Sequence, residues 1–313
     1  MNTIANTIKQ RLSLREPLAE ALDVLTRLVD KLSLSKPERQ SDKEAEAVAY
    51  EVYLKEQLQR VKEVCPYCKD FERDFPSFAF SIATGIGKTR LMGACIAYLY
   101  LAKGIRHFFI LAPNLTLYEK LMRDFGDPSY EKYVFKGISE FVHNEPLIIT
   151  GDNYNKARNL FSDNQIQISI FNISKFNTES KEGGKKGAPK MRRLSEYLGQ
   201  SYFDYLFSLD DLVILMDEAH RYHADASKKA INELRPILGL EMTATPTDEK
   251  GKSFKNIVYE YNLAQALADG KYVKIPTIAK RRNFSRGNMT DEELDILLSS
   301  TYKCNFLGAD NKQ

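Results

Sequence analysis

The sequence predicts an α/β fold: one mostly parallel, doubly wound sheet preceded by a helical N-terminal extension. Three observations lead there. Short runs at Phe78–Ile82, His107–Leu111, Leu147–Thr150, Ile168–Phe171, Leu212–Met216 and Leu240–Thr243 are several times apolar at consecutive positions, the pattern of strands covered on both faces. Helical spacings over 88–101, 115–125, 190–198 and 227–235 fall between them, giving βα units whose crossovers should be right-handed. Before residue 65 the texture is different. Leu22, Leu25, Leu28, Val29 and Leu32, then Val48, Val52, Leu58 and Val61, recur three and four apart and predict helices over 14–32 and 42–64. The polar segment Ser35–Ser41, with Pro37 inside it, reads as the loop between them.

These elements divide the chain into an extension over 1–69, an α/β domain over 70–280 and a tail over 281–313 containing a last helical stretch, Asp291–Ser299. Thr178–Gly187, rich in Gly and Lys, reads as a mobile loop within the domain. At 313 residues with 43% apolar and 28% charged side chains, the chain is neither collagen-like, mostly disordered nor membrane-embedded. Lys and Arg number 45 against 42 Asp and Glu, a net charge of +3, so any nucleic-acid surface must be local. The longest apolar stretch, Leu91–Ala102, is too short to span a bilayer. Met1–Arg15 lacks the hydrophobic block of a signal peptide, and the expectation is a cytoplasmic protein without membrane contact. Four cysteines are too few for a secreted scaffold. Cys65 and Cys68 have the spacing of half a zinc site, but no second pair or nearby His completes it, and two reduced thiols in a turn are expected.

Three motifs carry chemistry, each after a predicted strand. Thr84-Gly85-Ile86-Gly87-Lys88-Thr89 leaves one strand and opens an apolar helix. That context suits a phosphate loop, in which the backbone amides curl around phosphates, Lys88 reaches the β and γ phosphates and the Thr89 hydroxyl holds Mg²⁺. The full pattern has Gly where Ile82 stands. Next, Val213–Met216 runs into Asp217-Glu218-Ala219-His220, placing two carboxylates at a strand's C-terminal edge, where open α/β sheets bind ligands. Asp217 is suited to Mg²⁺ there, and Glu218 to orienting or deprotonating a water. His220 either couples this site to the third motif or caps the local turn. That motif, Met242-Thr243-Ala244-Thr245-Pro246, puts the hydroxyls of Thr243 and Thr245 beside the carboxylates, able to relay nucleotide state.

With these residues in order the chain resembles the N-terminal motor half of a DEAD/DEAH-type superfamily 2 ATPase, and looks most like the restriction subunit of type III restriction enzymes. Leu111-Ala112-Pro113-Asn114-Leu115-Thr116-Leu117, similar to motif Ia, and Ile173-Ser174-Lys175-Phe176 support the resemblance over about residues 10–285. It implies a RecA-like P-loop lobe, ATP with Mg²⁺, and movement along duplex DNA beside a methyltransferase subunit that recognises the sequence. By the same resemblance Asn114 and Thr116 are the candidates for nucleic-acid backbone contact, and a second lobe supplies arginines to the transition state. No such lobe, and no nuclease domain, is recognisable after residue 285. In Leu14–Ala21, Leu18 stands where many relatives carry an adenine-reading Gln, leaving Arg15 or backbone groups to serve instead.

The basic run Lys181, Lys185, Lys186, Lys190, Arg192 and Arg193 fits either a solvated loop or a contact to DNA phosphates. His223 reads as a surface residue. Against the DNA motor stand two alternatives: an RNA-directed helicase, since nothing in the sequence reads or excludes a 2′-hydroxyl, and a truncated chain that binds nucleotide or nucleic acid without turnover.

Overall fold

A strand that is apolar at every position needs a packed layer on each face, because successive side chains point to opposite sides. The computed structural model meets that need. It describes residues 2–37, 42–151, 153, 165–173, 179–182, 185–189, 201–222, 225–247 and 251–272. In chain order the strands are β1 (Ser77–Ile82), β2 (His107–Ala112), β3 (Leu147–Thr150), β4 (Gln167–Asn172), β5 (Glu179–Glu182), β6 (Lys185–Pro189), β7 (Leu212–Asp217), β8 (Leu238–Thr243) and β9 (Ile257–Tyr261). All but β5 and β6 form one seven-stranded sheet in the order β3-β4-β2-β7-β8-β1-β9, every neighbouring pair parallel. The six runs picked from sequence are six of its strands.

The seventh, β9, lies at the edge, where only Val258 and Tyr261 of its five residues are buried. An edge strand carries a weaker pattern than a central one, so its five residues do not stand out. Thr178–Gly187, expected as a mobile loop, instead contributes to the antiparallel pair β5–β6. An antiparallel pair of this kind needs no apolar stripe in its sequence, so composition alone does not mark it.

Helices cover both faces of the sheet. They are α1 (Thr3–Arg11), α2 (Glu16–Val29), α3 (Lys43–Val64), α4 (Lys88–Lys103), α5 (Leu115–Gly126), α6 (Ser139–His143), α7 (Tyr202–Ser208), α8 (Asp225–Glu233) and α9 (Leu263–Asp269). Phe78, Phe80, Phe108, Ile110, Val213 and Leu215 point to the layer of α1, α2, α4 and α5. Their alternates Ala79, Phe109, Leu111, Ile214 and Met216 point to Tyr202, Leu206, Tyr222 and Ile231. The apolar stretch at 91–102 is the buried helix α4, sealed between the sheet and α1–α2, with Leu91 through Leu99 all buried. It stops at Gly104, in the left-handed region at φ 72°, whose N–H bonds back to the Tyr100 carbonyl.

The N-terminal helices thus belong to the sheet's own core. Leu18, Leu22, Leu25 and Leu28 of α2 are buried in it, and Met1–Lys274 forms one compact unit by its internal contacts. Among the described residues no helix is long and apolar enough to cross a membrane. The expected helices over 190–198 and 291–299, the tail over 281–313, residues 174–176, Lys190, Arg192, Arg193 and His223 lie outside the described residues.

Candidate active site

The phosphate loop follows from where β1 stops. Ile82 is the last residue of the strand, fully buried and paired with Tyr261 of β9, so an extended side-chain-bearing residue belongs there rather than Gly. The turn is made further on. Gly85 and Gly87 have φ of 86° and 122°, backbone that L side chains rarely adopt. A Cβ on Gly87 would also lie 3.1 Å from Leu18 Cδ1. Leu18, itself buried, therefore packs against the loop. Directly after Gly87, α4 begins with Lys88, and its N-terminal amides and dipole favour an anion.

The acidic pair meets this loop. Lys88 Nζ lies 3.0 Å from Glu218 Oε1. Glu218 follows β7 in the left-handed region at φ 52°, and its N–H donates to Asp217 Oδ1 at 3.1 Å. For a residue with a Cβ this conformation costs about 1–3 kcal/mol, and such strain collects at functional sites. It turns the two neighbouring carboxylates in different directions. Asp217 is buried, and burial pushes its carboxyl above the usual range, the adjacent Glu218 adding to the effect while Lys88 and Lys120 oppose it. A buried carboxylate with so little hydrogen bonding of its own is suited to a cation.

His220 sits on a short 3-10 turn, Ala219–Tyr222, with Nδ1 3.1 Å from Thr243 Oγ1 and 3.6 Å from Glu218 Oε2. Thr243 Oγ1 donates its single proton to the Thr245 carbonyl at 2.9 Å and accepts from the Thr245 N–H at 3.1 Å. In that arrangement His220 Nδ1 must carry the proton it shares with Thr243. Burial lowers the His220 pKa, favouring a neutral ring. One chain of contacts thus runs from Lys88 through Glu218 and His220 to Thr243 and the backbone of Thr245.

A cleft of about 600 Å³ opens over this arrangement. Thr84, Gly85, Ile86, Gly87, Lys88, Thr89, Asp217 and Glu218 line it, together with Arg15, Leu18, Lys120, Asp124 and Lys132. Asn114 and Thr116 do not. They are exposed at the start of α5, where the Asn114 side chain caps the helix by accepting from the Leu117 N–H at 2.9 Å. Arg15, at the start of α2, donates from one guanidinium nitrogen to the carbonyls of Gly85 at 2.7 Å and Ile86 at 3.0 Å, with its guanidinium 5.3 Å from the centre of the Tyr272 ring. Lys120 and Asp124 escape sequence reasoning because a charged residue on an amphipathic helix gives no sign of which neighbour it reaches. Cys65 and Cys68 are buried away from the cleft, and burial pushes the Cys68 thiol up to about 11 and raises Cys65 as well, which keeps both as protonated thiols.

The donor set fits ATP with Mg²⁺. The glycine turn offers amides to the phosphates, Lys88 a movable cation, Thr89 a neutral oxygen and Asp217 a buried carboxylate, the hard oxygen ligands that Mg²⁺ prefers.

The family described as "Type III restriction enzyme, res subunit" matches residues 51–248. A probable type III restriction-modification enzyme HindVIP Res subunit from Haemophilus influenzae is 27% identical over 199 residues, covering 60% of this chain and 34% of the relative. The chain thus spans about a third of the length of the curated relative it matches. Among solved structures, the SWI2/SNF2 ATPase core of Sulfolobus solfataricus in complex with dsDNA is 15% identical at a TM-score of 0.32, covering 54% of this chain and 28% of that one. A nuclease-deletion mutant of the type ISP restriction-modification enzyme LlaGI, in complex with a DNA substrate mimic, is 15% identical at 0.36, covering 75% and 20%.

Proposed function

This chain belongs to the type III restriction enzyme res subunit family, and we propose that its cleft binds ATP with Mg²⁺ and hydrolyses it as the RecA-like motor lobe of a duplex-DNA translocase. The observation that carries the reading is the convergence of Gly85–Thr89 and Asp217–Glu218 in one cleft, with Lys88 already on Glu218. Bound Mg²⁺ would neutralise phosphate charge and hold the phosphates against Thr89 and Asp217.

The protein's own groups do the rest. The loop amides and the α4 N-terminus bind and orient the phosphates. Lys88, 9% exposed and paired with only a partly exposed carboxylate, exchanges Glu218 for phosphate oxygens. That exchange frees Glu218 Oε1 to accept a proton from the attacking water, so nucleotide binding itself unmasks the base. His220 and Thr243, with Thr245, then sense the change, because Glu218 is their neighbour. Arg15 holds the carbonyl side of the loop so that its amides face inward.

In this reading residues 70–280 are the motor lobe, 1–69 a helical extension that braces it, and 281–313 the connection to a second lobe. Asn114 and Thr116 touch the DNA backbone, a methyltransferase subunit chooses the sequence, and the cytoplasm is the place of action, in restriction of foreign DNA. The test is ATP turnover by the purified chain alone and with duplex DNA, single-stranded DNA or RNA, with Lys88→Ala as the blank. Stimulation by duplex DNA above the blank is expected. Stimulation by RNA instead would make it an RNA-directed helicase, and ATP binding without turnover in any arm would make it a nucleotide-binding unit only.

A further inference from the structure

The hydroxyl proposed to hold the metal is already engaged. Lys120 Nζ donates to Thr89 Oγ1 at 2.9 Å. Lys120 projects from the second turn of α5, and its other contact is Asp124 Oδ2, 3.4 Å away and one turn further along the same helix. The two members of this pair are unlike. The Lys120 side chain is 44% exposed, whereas that of Asp124 is 4% exposed and has Oδ1 buried without a hydrogen-bond partner among the described residues. Both line the cleft. The Lys120 charge also reaches Asp217, where it counteracts burial. One ammonium thus serves the two residues assigned to Mg²⁺ and stands beside a buried carboxylate with an unused acceptor.

A cation ligated by the Thr89 oxygen at about 2.1 Å and an ammonium hydrogen-bonded to the same oxygen would face each other across a few ångströms with like charge. Each disfavours the other. Rotation of the Lys120 side chain along α5 relieves the repulsion, because Asp124 offers Oδ1 in addition to the oxygen Lys120 already approaches. We propose that Lys120 is a positioning residue that competes with Mg²⁺ for Thr89, and that Asp124 is the acceptor onto which it moves when the metal binds. The inference rests on the reading of the cleft as a Mg²⁺·ATP site, and it sets the Mg²⁺ concentration at which the site loads.

The experiment is a Mg²⁺ titration of fluorescent ATP-analogue binding to the full chain at constant ionic strength, for wild type, Lys120→Met, Lys120→Arg, Asp124→Asn and the Lys120→Met/Asp124→Asn double variant. Lys120→Met should lower the half-saturating Mg²⁺ concentration by about fivefold or more, and Lys120→Arg should stay near wild type. Asp124→Asn should raise it, because the displaced ammonium then meets a neutral amide oxygen in place of a carboxylate, and the double variant should match Lys120→Met, because Asp124 acts only through Lys120. A half-saturating concentration in Lys120→Met equal to or above wild type overturns the proposal, even if thermal stability falls, since a merely structural pair would alter only the latter. Should Asp124→Asn fail to fold, the contrast between Lys120→Met and Lys120→Arg still decides. Nucleotide binding that survives in Lys88→Ala would instead overturn the reading of the cleft, and this inference with it.

Discussion

Two cation–carboxylate pairs of nearly equal length brace this sheet, and they do opposite work. Lys88 and Glu218 lie 3.0 Å apart at the rim, with side chains 9% and 24% exposed. Arg73 and Glu241 lie 3.1 Å apart with both side chains wholly buried. Arg73, just ahead of β1, also donates to the Tyr222 carbonyl at 3.0 Å, and the Tyr222 hydroxyl in turn donates to the Leu111 carbonyl at 2.9 Å. That second pair ties β8, two residues before Thr243, to the turn that carries His220. Distance alone does not separate a pair that opens from one that holds. The difference is what each cation finds on leaving: Lys88 opens onto the cleft, whereas Arg73 is wholly buried, where an unpaired charge is very costly.

If the rim pair works and the buried pair holds, substitutions must separate activity from stability. The largest effect belongs to the rim. Glu218→Gln should lower ATP hydrolysis by about 10²–10⁴-fold while sparing nucleotide binding, measured by steady-state turnover beside equilibrium binding. An unchanged rate would remove Glu218 from its role. Next comes Arg73→Met, which leaves Glu241 buried and uncompensated and should cost about 3–5 kcal/mol in urea unfolding. Arg73→Met/Glu241→Leu should recover most of that loss, and failure to recover would mean that the bond to the Tyr222 carbonyl, not the ion pair, is what matters.

A smaller effect is expected at Arg15, which holds the loop without lying in its sequence. Arg15→Met should weaken ATP binding about tenfold through loss of charge-assisted bonds to the loop carbonyls, with little change in melting temperature. The smallest effect concerns Asp217. Its folded-state pKa is raised above the ordinary 3.8, so the folded protein holds this proton more tightly than the unfolded chain, and stability falls as pH rises through that window. Asp217→Asn should therefore raise the melting temperature by a few degrees at neutral pH and lose that advantage below about pH 4. A gain that persists in acid would assign the effect to packing rather than charge.

The central sheet and the three motifs were legible because each depends on local pattern. Continuous apolarity marks strands covered twice, as in β2 and β7, and glycines mark the turn at Gly85 and Gly87, where the backbone requires them. The edge strand β9 and the pair β5–β6 were not legible, since β9 buries only two of its five residues and the β5–β6 segment has no continuous apolar run in its sequence. Among site residues, Lys88, Thr89, Asp217 and Glu218 line one cleft, and Asn114 and Thr116, expected to contact nucleic acid, lie outside it.

The sequence by itself determined the α/β class, the order of the strands along the chain and the types of side chain at the strand ends, because periodicity and turn chemistry act over a few neighbouring residues. Only the tertiary structure decided that Arg15 reaches the loop from 70 residues away, that Lys120 meets Thr89, and that Arg73 and Glu241 pair across 168 positions. Such contacts are made when strands distant in sequence become neighbours, and a lone charged side chain carries no local mark of the partner that the folded chain will bring to it.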